Sequence, residues 1–327
     1  MARLHVHTLR TEPAPLFHDA APQLPAGNAI WLYARSGRRL RSARFAPPTT
    51  VRGSVILSPG RTEPIEKYQE VIADLVARGY HVLVHDWAGQ GLSQRFLPDS
   101  LAGDVEGSFQ ALLADYTDIV SKHAAELPRP WIVVGHSMGG ALSAAALADA
   151  SAHEVFGGFD AAALCAPMME FSTGQIPIRA ARRIVSVAMR AGFGTRLVRR
   201  QTDPFGVSFE TNVLTHDRTR YERMQTLYRA HPELVIGEPT WRWLQFGLDL
   251  RAHLASPGVA ERIQCPLVAV GAGEDRVVRN EPIRRFTLRT QRGVYREVAG
   301  AFHEILMETD ARRARFFQVF DELARAF

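Results

Sequence analysis

Lysine is almost missing from this chain: only Lys67 and Lys122 occur in 327 residues. The formal charge of +5 is therefore carried by arginine, whose planar guanidinium suits contacts with anions; codon bias would give the same enrichment. Cysteine is as scarce. Cys165 and Cys265 are too few for a disulfide framework and have no metal-site spacing. Each sits in an apolar run beside proline and reads as a small buried hydrophobe. No run approaches the roughly 18 apolar residues that span a bilayer. Met1–Arg10 has no apolar core of a signal peptide, so the expected compartment is the cytoplasm. No basic block is interleaved with aromatics, which argues against a nucleic-acid partner. His5 and His7 lack a third ligand nearby, so no metal is expected. There is no internal repeat, and nothing in the sequence signals an oligomeric state.

What is present is a globular composition, 46% hydrophobic and 22% charged, long enough for one large core with an insertion. Residues 1–28 have no period and read as an extended arm. Ala29–Arg35 and Arg39–Ala46 flank Ser36-Gly37-Arg38, a hairpin signal. Ser54–Leu57, Tyr80–Val84, Trp131–Val134, Ala161–Ala166, Pro266–Gly271 and Val294–Val298 read as strands. Helical spacing runs through Glu63–Arg78, Asp104–Leu127, Glu281–Thr290 and Asp310–Phe327. Alternating strand and helix predicts an α/β fold with a mostly parallel, doubly wound sheet. Residues 29–167 and 257–327 form its core.

The alternation lapses over 168–256, read as a helical cap or lid inserted after the sixth strand. Helical stretches are expected near Ile178–Ala191, Asp217–His231 and Thr240–Leu254. The segment holds 13 Arg against 8 acidic residues, so its excess equals that of the whole chain.

The most informative stretch is Trp131–Gly140. A short apolar run leads into Gly135-His-Ser137-Met-Gly139, and an Ala-rich helix former follows. Strand, G-x-S-x-G, helix is the context of a nucleophile elbow, with Ser137 exposed on a sharp turn. A serine hydroxyl needs a base, and the base an orienting carboxylate. His303 follows the last expected strand and Asp275 the one before it. The order Ser137…Asp275…His303 is that of an α/β-hydrolase. Glu274 and Glu170 are rival acids. The oxyanion needs two backbone donors, Met138 after the nucleophile and Arg61 in the loop after Ser54–Leu57. For Arg61 the competing reading is a surface turn with its side chain in solvent. Asp217 suits a helix N-cap. Tyr221 is a candidate for substrate contact, or part of a lock at that helix start. Trp241, Trp243 and Phe246 are candidates for an acyl tunnel, with packing inside the cap as the alternative.

On these residues the chain resembles the serine α/β-hydrolases of the lysophospholipase and monoacylglycerol lipase group. The likeness rests on Ser58–Tyr68, His85–Ser93, Gly135–Gly140, His216–Met224, Glu274-Asp275 and His303–Glu308. The His216–Met224 motif resembles the bacterial lysophospholipase L2-like branch. Pro59 stands where the group commonly has His before the oxyanion donor, and Phe302 where Gly or a polar residue is frequent. The resemblance implies hydrolysis of a lipid-like acyl ester without metal or organic cofactor, and a loop-fixing role for Asp86. A thioesterase, acyltransferase or non-lipid carboxylesterase would share every motif. A ligand receptor on the same fold usually has a damaged triad. Ile178–Arg190 is amphipathic, with arginine on its polar side. It is a candidate for peripheral contact with anionic membrane, packing on the body being the alternative.

Overall fold

The computed structural model describes residues 9–18, 25–97, 101–150, 155, 157–174, 176–203, 205 and 207–327; His5 and His7 lie outside them. The strands are β1 (Thr11–Pro13), β2 (Gly27–Tyr33), β3 (Arg39–Phe45), β4 (Gly53–Ser58) and β5 (Tyr80–His85). They continue with β6 (Trp131–His136), β7 (Ala161–Cys165), β8 (Leu267–Ala272) and β9 (Gly293–Val298). They form one sheet in the order β1-β2-β3-β5-β4-β6-β7-β8-β9. The pairs β1–β2, β2–β3 and β3–β5 are antiparallel, and the rest are parallel.

Strands β4, β6, β7 and β8 are buried at every residue, which is why they read as unbroken apolar runs. Successive residues of β6 serve two cores. Trp131 and Val133 join the side formed with α2 (Phe109–His123) and α3 (Ser137–Leu147). Ile132 and Val134 join the side formed with α1 (Gln69–Ala77) and α8 (Asp310–Ala324). All of α3 is buried; its glycines and alanines let it lie close on the small residues of β7.

Between β7 and β8 lie α4 (Ile178–Arg190), α5 (Arg218–Ala230) and α6 (Trp241–Ala255), at the three expected positions. Asp217 is the N-cap of α5, its side chain accepting from the Arg220 N–H. After β8 comes α7 (Asn280–Arg289). No helix among the described residues is long and apolar enough to cross a membrane.

Three expectations need correction. Part of the arm is a strand, β1, too short for any period to reveal, so the three-helix segment follows the seventh strand rather than the sixth. Helix α2 starts at Phe109, not Asp104, because Gly107 takes a left-handed φ of 82° and Asp104 turns away to Thr240 and Arg242. The Glu63–Arg78 helix begins only at a 3-10 turn over Ile65–Tyr68, since Glu63 is held elsewhere.

Register places the site. Ser58 lies beside Gly135, His136 beside Cys165, and Ala272 beside Val298. The loops after β4, β6, β8 and β9 therefore leave one edge of the sheet, at the carboxyl ends of the parallel strands.

Candidate active site

At that edge β6 passes into α3 with no intervening loop. Ser137 absorbs the turn at a φ of 49°, a left-handed conformation that a side chain adopts only under constraint. Gly135 and Gly139, two residues to either side, must be glycine. A Cβ on Gly135 would stand 2.8 Å from Gly140 Cα, and one on Gly139 would collide with the Ser58 and Pro59 carbonyl oxygens.

The Ser137 hydroxyl is 2.9 Å from His303 Nε2, and His303 Nδ1 is 2.8 Å from Asp275 Oδ2. The other Asp275 oxygen accepts from the Val277 and Val278 N–H groups at 2.8 and 2.9 Å. Burial alone would raise the Asp275 carboxyl, but the His303 hydrogen bond and charge, with those two amides, hold it below its ordinary value. The rival acids are elsewhere: Glu170 pairs with Arg251 and Arg279, and Glu274 is exposed.

Met138 lies in the first turn of α3, where an N–H has no partner inside the helix. The opposite wall is the loop after β4. Trp87 donates to the Pro59 oxygen at 2.7 Å, Gln90 accepts from the Thr62 N–H at 2.7 Å, and Glu63 accepts from the Gly60 N–H. These bonds fix the loop and leave the Arg61 N–H undirected to any of them. Asp86 anchors it from below, accepting from the Ile65 and Leu92 N–H groups and from Arg41.

The chain matches the family described as Hydrolase_4, serine aminopeptidase S33, over residues 49–310. It is 35% identical to lysophospholipase L2 of Escherichia coli (strain K12) over 277 residues, 80% of this chain and 76% of that one. It is 29% identical to the probable lysophospholipase L2 of Haemophilus influenzae, over 90% of this chain and 93% of that one. The chain belongs to the Hydrolase_4 family. Its structure is also similar to a soluble variant of monoglyceride lipase from Saccharomyces cerevisiae, solved with a substrate analog: TM-score 0.69 at 18% identity, covering 95% and 97% of the two chains. A Paleococcus ferrophilus monoacylglycerol lipase gives 0.63 at 21%, covering 88% and 98%. These likenesses show the α/β-hydrolase fold.

Around this Hydrolase_4 centre lie residues that no spacing singled out. Glu63 Oε2 accepts from Tyr68 at 2.5 Å and lies 3.0 Å from His136 Nδ1, while Oε1 accepts from Lys67 at 2.8 Å. Lys67 also reaches Glu304 at 2.5 Å, and His136 Nε2 stands 3.3 Å from the His303 carbonyl. Burial alone would raise Glu63, but His136 and Lys67 hold it well below the carboxylate range. The His loop is clamped from the far side as well. The buried Glu308 accepts from the Phe302 and Thr309 N–H groups at 2.9 and 3.0 Å and lies 2.6 Å from His216 Nδ1. His216 stacks on Phe302.

The remaining candidates separate. Trp243 and Phe246 are buried and pack near Phe171. Trp241 is only half-buried at the start of α6. Tyr221 donates to the Val207 oxygen at 2.8 Å and packs edge-on to Phe209, a lock within its own segment. The Arg61 side chain does not point to solvent: it runs under α6 to the Gly237 carbonyl and the Trp243 ring.

Proposed function

We propose that this protein is a serine hydrolase cleaving the carboxylic ester of a lipid-like substrate, a lysophospholipid or monoacylglycerol, through an acyl-enzyme on Ser137. The observation that carries the reading is the relay from the Ser137 hydroxyl through His303 to Asp275, at 2.9 and 2.8 Å, with the serine on a constrained turn. Ser137 attacks the ester carbonyl while His303 Nε2 takes its proton. Asp275 holds the imidazole tautomer and offsets the charge it gains. The Met138 and Arg61 N–H groups receive the oxyanion. His303 then protonates the leaving alcohol and activates the water that releases the acid. These steps call for no metal or organic cofactor.

Residues 168–256 act as the cap over this centre, with Phe246 and the nearby Trp241 along the acyl path. The likeness to lysophospholipase L2 supports the substrate class. The cap also makes peripheral contact with anionic membrane. On α4, Val185 and Ala188 are buried while Arg179, Arg183, Val187 and Arg190 face outward, a basic face with an apolar centre. The expected compartment is the cytoplasm, at the inner membrane face. Flotation with anionic liposomes tests this: binding unchanged after Arg179, Arg183 and Arg190 are neutralised would overturn it.

The deciding experiment is hydrolysis of lysophospholipids, monoacylglycerols, short p-nitrophenyl esters and aminoacyl p-nitroanilides. Lipid esters should be cleaved fastest, and Ser137→Ala should abolish turnover and fluorophosphonate labelling. Faster turnover of short esters than of any lipid would indicate a carboxylesterase, and preference for the anilides a peptidase.

A further inference from the structure

Arg61 is a part-buried cation with no resident anion among the described residues. Its Nη2 donates to the Gly237 carbonyl, its Cζ lies 4.9 Å from the centre of the Trp243 ring, and its Nε is buried with no partner. Gly103 makes room for it, since a Cβ there would collide with Nη2. Burial pulls the guanidinium down to about 10. The acid whose field it feels, Glu238, is already engaged by Arg199 at 2.5 Å and Thr202 at 2.9 Å. The cations buried most fully are answered directly, Arg41 by Glu66 and Asp86, each at 2.7 Å, and Lys67 by Glu63 and Glu304; Arg95, like Arg61, meets only carbonyl oxygens, those of Gly91 and Val235. An unpaired buried charge is costly, and removing it from water is offset when a counter-charge arrives.

The position of this cation matters more than its burial. Its own backbone N–H is the second proposed oxyanion donor. Along the covalent skeleton, the amide nitrogen and Cζ of arginine are as many bonds apart as the ester carbonyl carbon and the phosphorus of a 1-acyl lysophospholipid. The two spans are therefore of equal length, so a substrate whose carbonyl oxygen sits on the Arg61 N–H has a tether long enough for its phosphate to meet the same residue's guanidinium. The planar fork of donors matches phosphate oxygens, and the unpartnered Nε is available to one of them.

We propose that the Arg61 guanidinium receives the phosphodiester of the substrate and makes the enzyme selective for lysophospholipids over neutral monoacylglycerols. The inference rests on the ester-hydrolase reading and narrows its substrate class. On binding, a phosphate oxygen replaces the Gly237 carbonyl at Nη2, while the contact with Trp243 persists.

The test compares kcat/KM for a lysophosphatidylglycerol and a 1-monoacylglycerol of the same acyl chain in the wild type, Arg61→Lys and Arg61→Gln. A charge-assisted pair predicts that Arg61→Gln loses about 10- to 100-fold more on the lysophospholipid than on the monoacylglycerol, with Arg61→Lys between. Equal losses on both would overturn the proposal. A second measurement needs no variant: sn-glycerol 3-phosphate should inhibit wild-type hydrolysis of a neutral p-nitrophenyl ester more strongly than inorganic phosphate does. No inhibition by glycerol 3-phosphate, or equal inhibition by both, would overturn recognition of a phospholipid headgroup. The neutral ester reports the hydrolase separately. If it is cleaved and no phosphate selectivity is found, only this inference fails; if no ester is cleaved, both fall.

Discussion

Glu63 and His136 lie 3.0 Å apart with both side chains 3% exposed, and the pair ties the two walls of the site together. Glu63 also accepts the Gly60 N–H, which fixes the Pro59–Gly60 peptide in the oxyanion loop, and His136 Nε2 faces the His303 carbonyl at 3.3 Å. Burial alone would lower the imidazole, but the Glu63 charge and hydrogen bond raise it above its ordinary value. Both His136 nitrogens thus face acceptor oxygens, an arrangement that favours the charged imidazole.

A raised folded-state value fixes the sign of a pH effect. The stability His136 contributes is fully present below its ordinary value of about 6.5 and is lost as pH rises through the raised one. His136→Gln should cost about 3 kcal/mol at pH 6, shrinking towards pH 9. Denaturant melts across that range measure it, and a deficit equal at every pH would contradict a charged His136.

How much of this was legible in the sequence follows from distance along the chain. Ser137 announced itself because its constraint is local: strand, two glycines and helix within ten residues. Asp275 and His303 could be grouped with it because a parallel sheet sends every strand end to one edge. Glu63, His136 and Glu304 were not, because their contacts join loops that only the folded sheet brings together. The one local hint was the spacing of Glu63 and Lys67, the i,i+4 spacing of an ion pair, inside a segment otherwise reading as buried helix. Arg61 was read from its backbone alone. Nothing local says that its side chain turns under α6, because Gly103 and Trp243 are supplied from far along the chain. Likewise β1 is only three residues long, and its partner β2 alone defines it.

Gly139 tests the packing behind the elbow. Its missing Cβ would strike the Ser58 and Pro59 carbonyl oxygens, which belong to the backbone and cannot swing aside. Gly139→Ala should therefore destabilise by about 1–3 kcal/mol and displace the oxyanion loop. Ester turnover should fall mainly in kcat, because an oxyanion donor acts on charge that develops in the transition state. An unchanged kcat in a stably folded variant would separate this loop from the chemistry.

Glu308 tests the clamp on the His303 loop. It is fully buried and accepts from two backbone amides and approaches His216. Glu308→Ala leaves those donors unsatisfied, for an expected loss of roughly 2–4 kcal/mol. Glu308→Gln keeps an acceptor for only one of the two amides, which bond different oxygens, and should recover part of it. Thermal melts of the two variants side by side decide whether hydrogen bonding, rather than volume, holds the loop.

Asp275→Asn is the sharpest probe of the relay because it keeps the shape and removes the charge. Asp275 Oδ1 still has a counterpart to accept from Val277 and Val278, so the loop should stay folded. At Oδ2, however, the amide nitrogen would donate to His303 Nδ1, leaving the proton on Nε2, the nitrogen that must accept from Ser137. The imidazolium formed in the transition state would also lose its carboxylate. A fall in kcat of roughly 10⁴-fold is expected, with KM little altered. The folded-state carboxyl of Asp275 is depressed, so the wild type holds this contribution above the ordinary carboxylate range and loses it as pH falls through the lowered value. Asn cannot titrate, so the stability gap between wild type and variant should be widest near neutrality and close in acid. A variant retaining wild-type kcat would remove Asp275 from the relay.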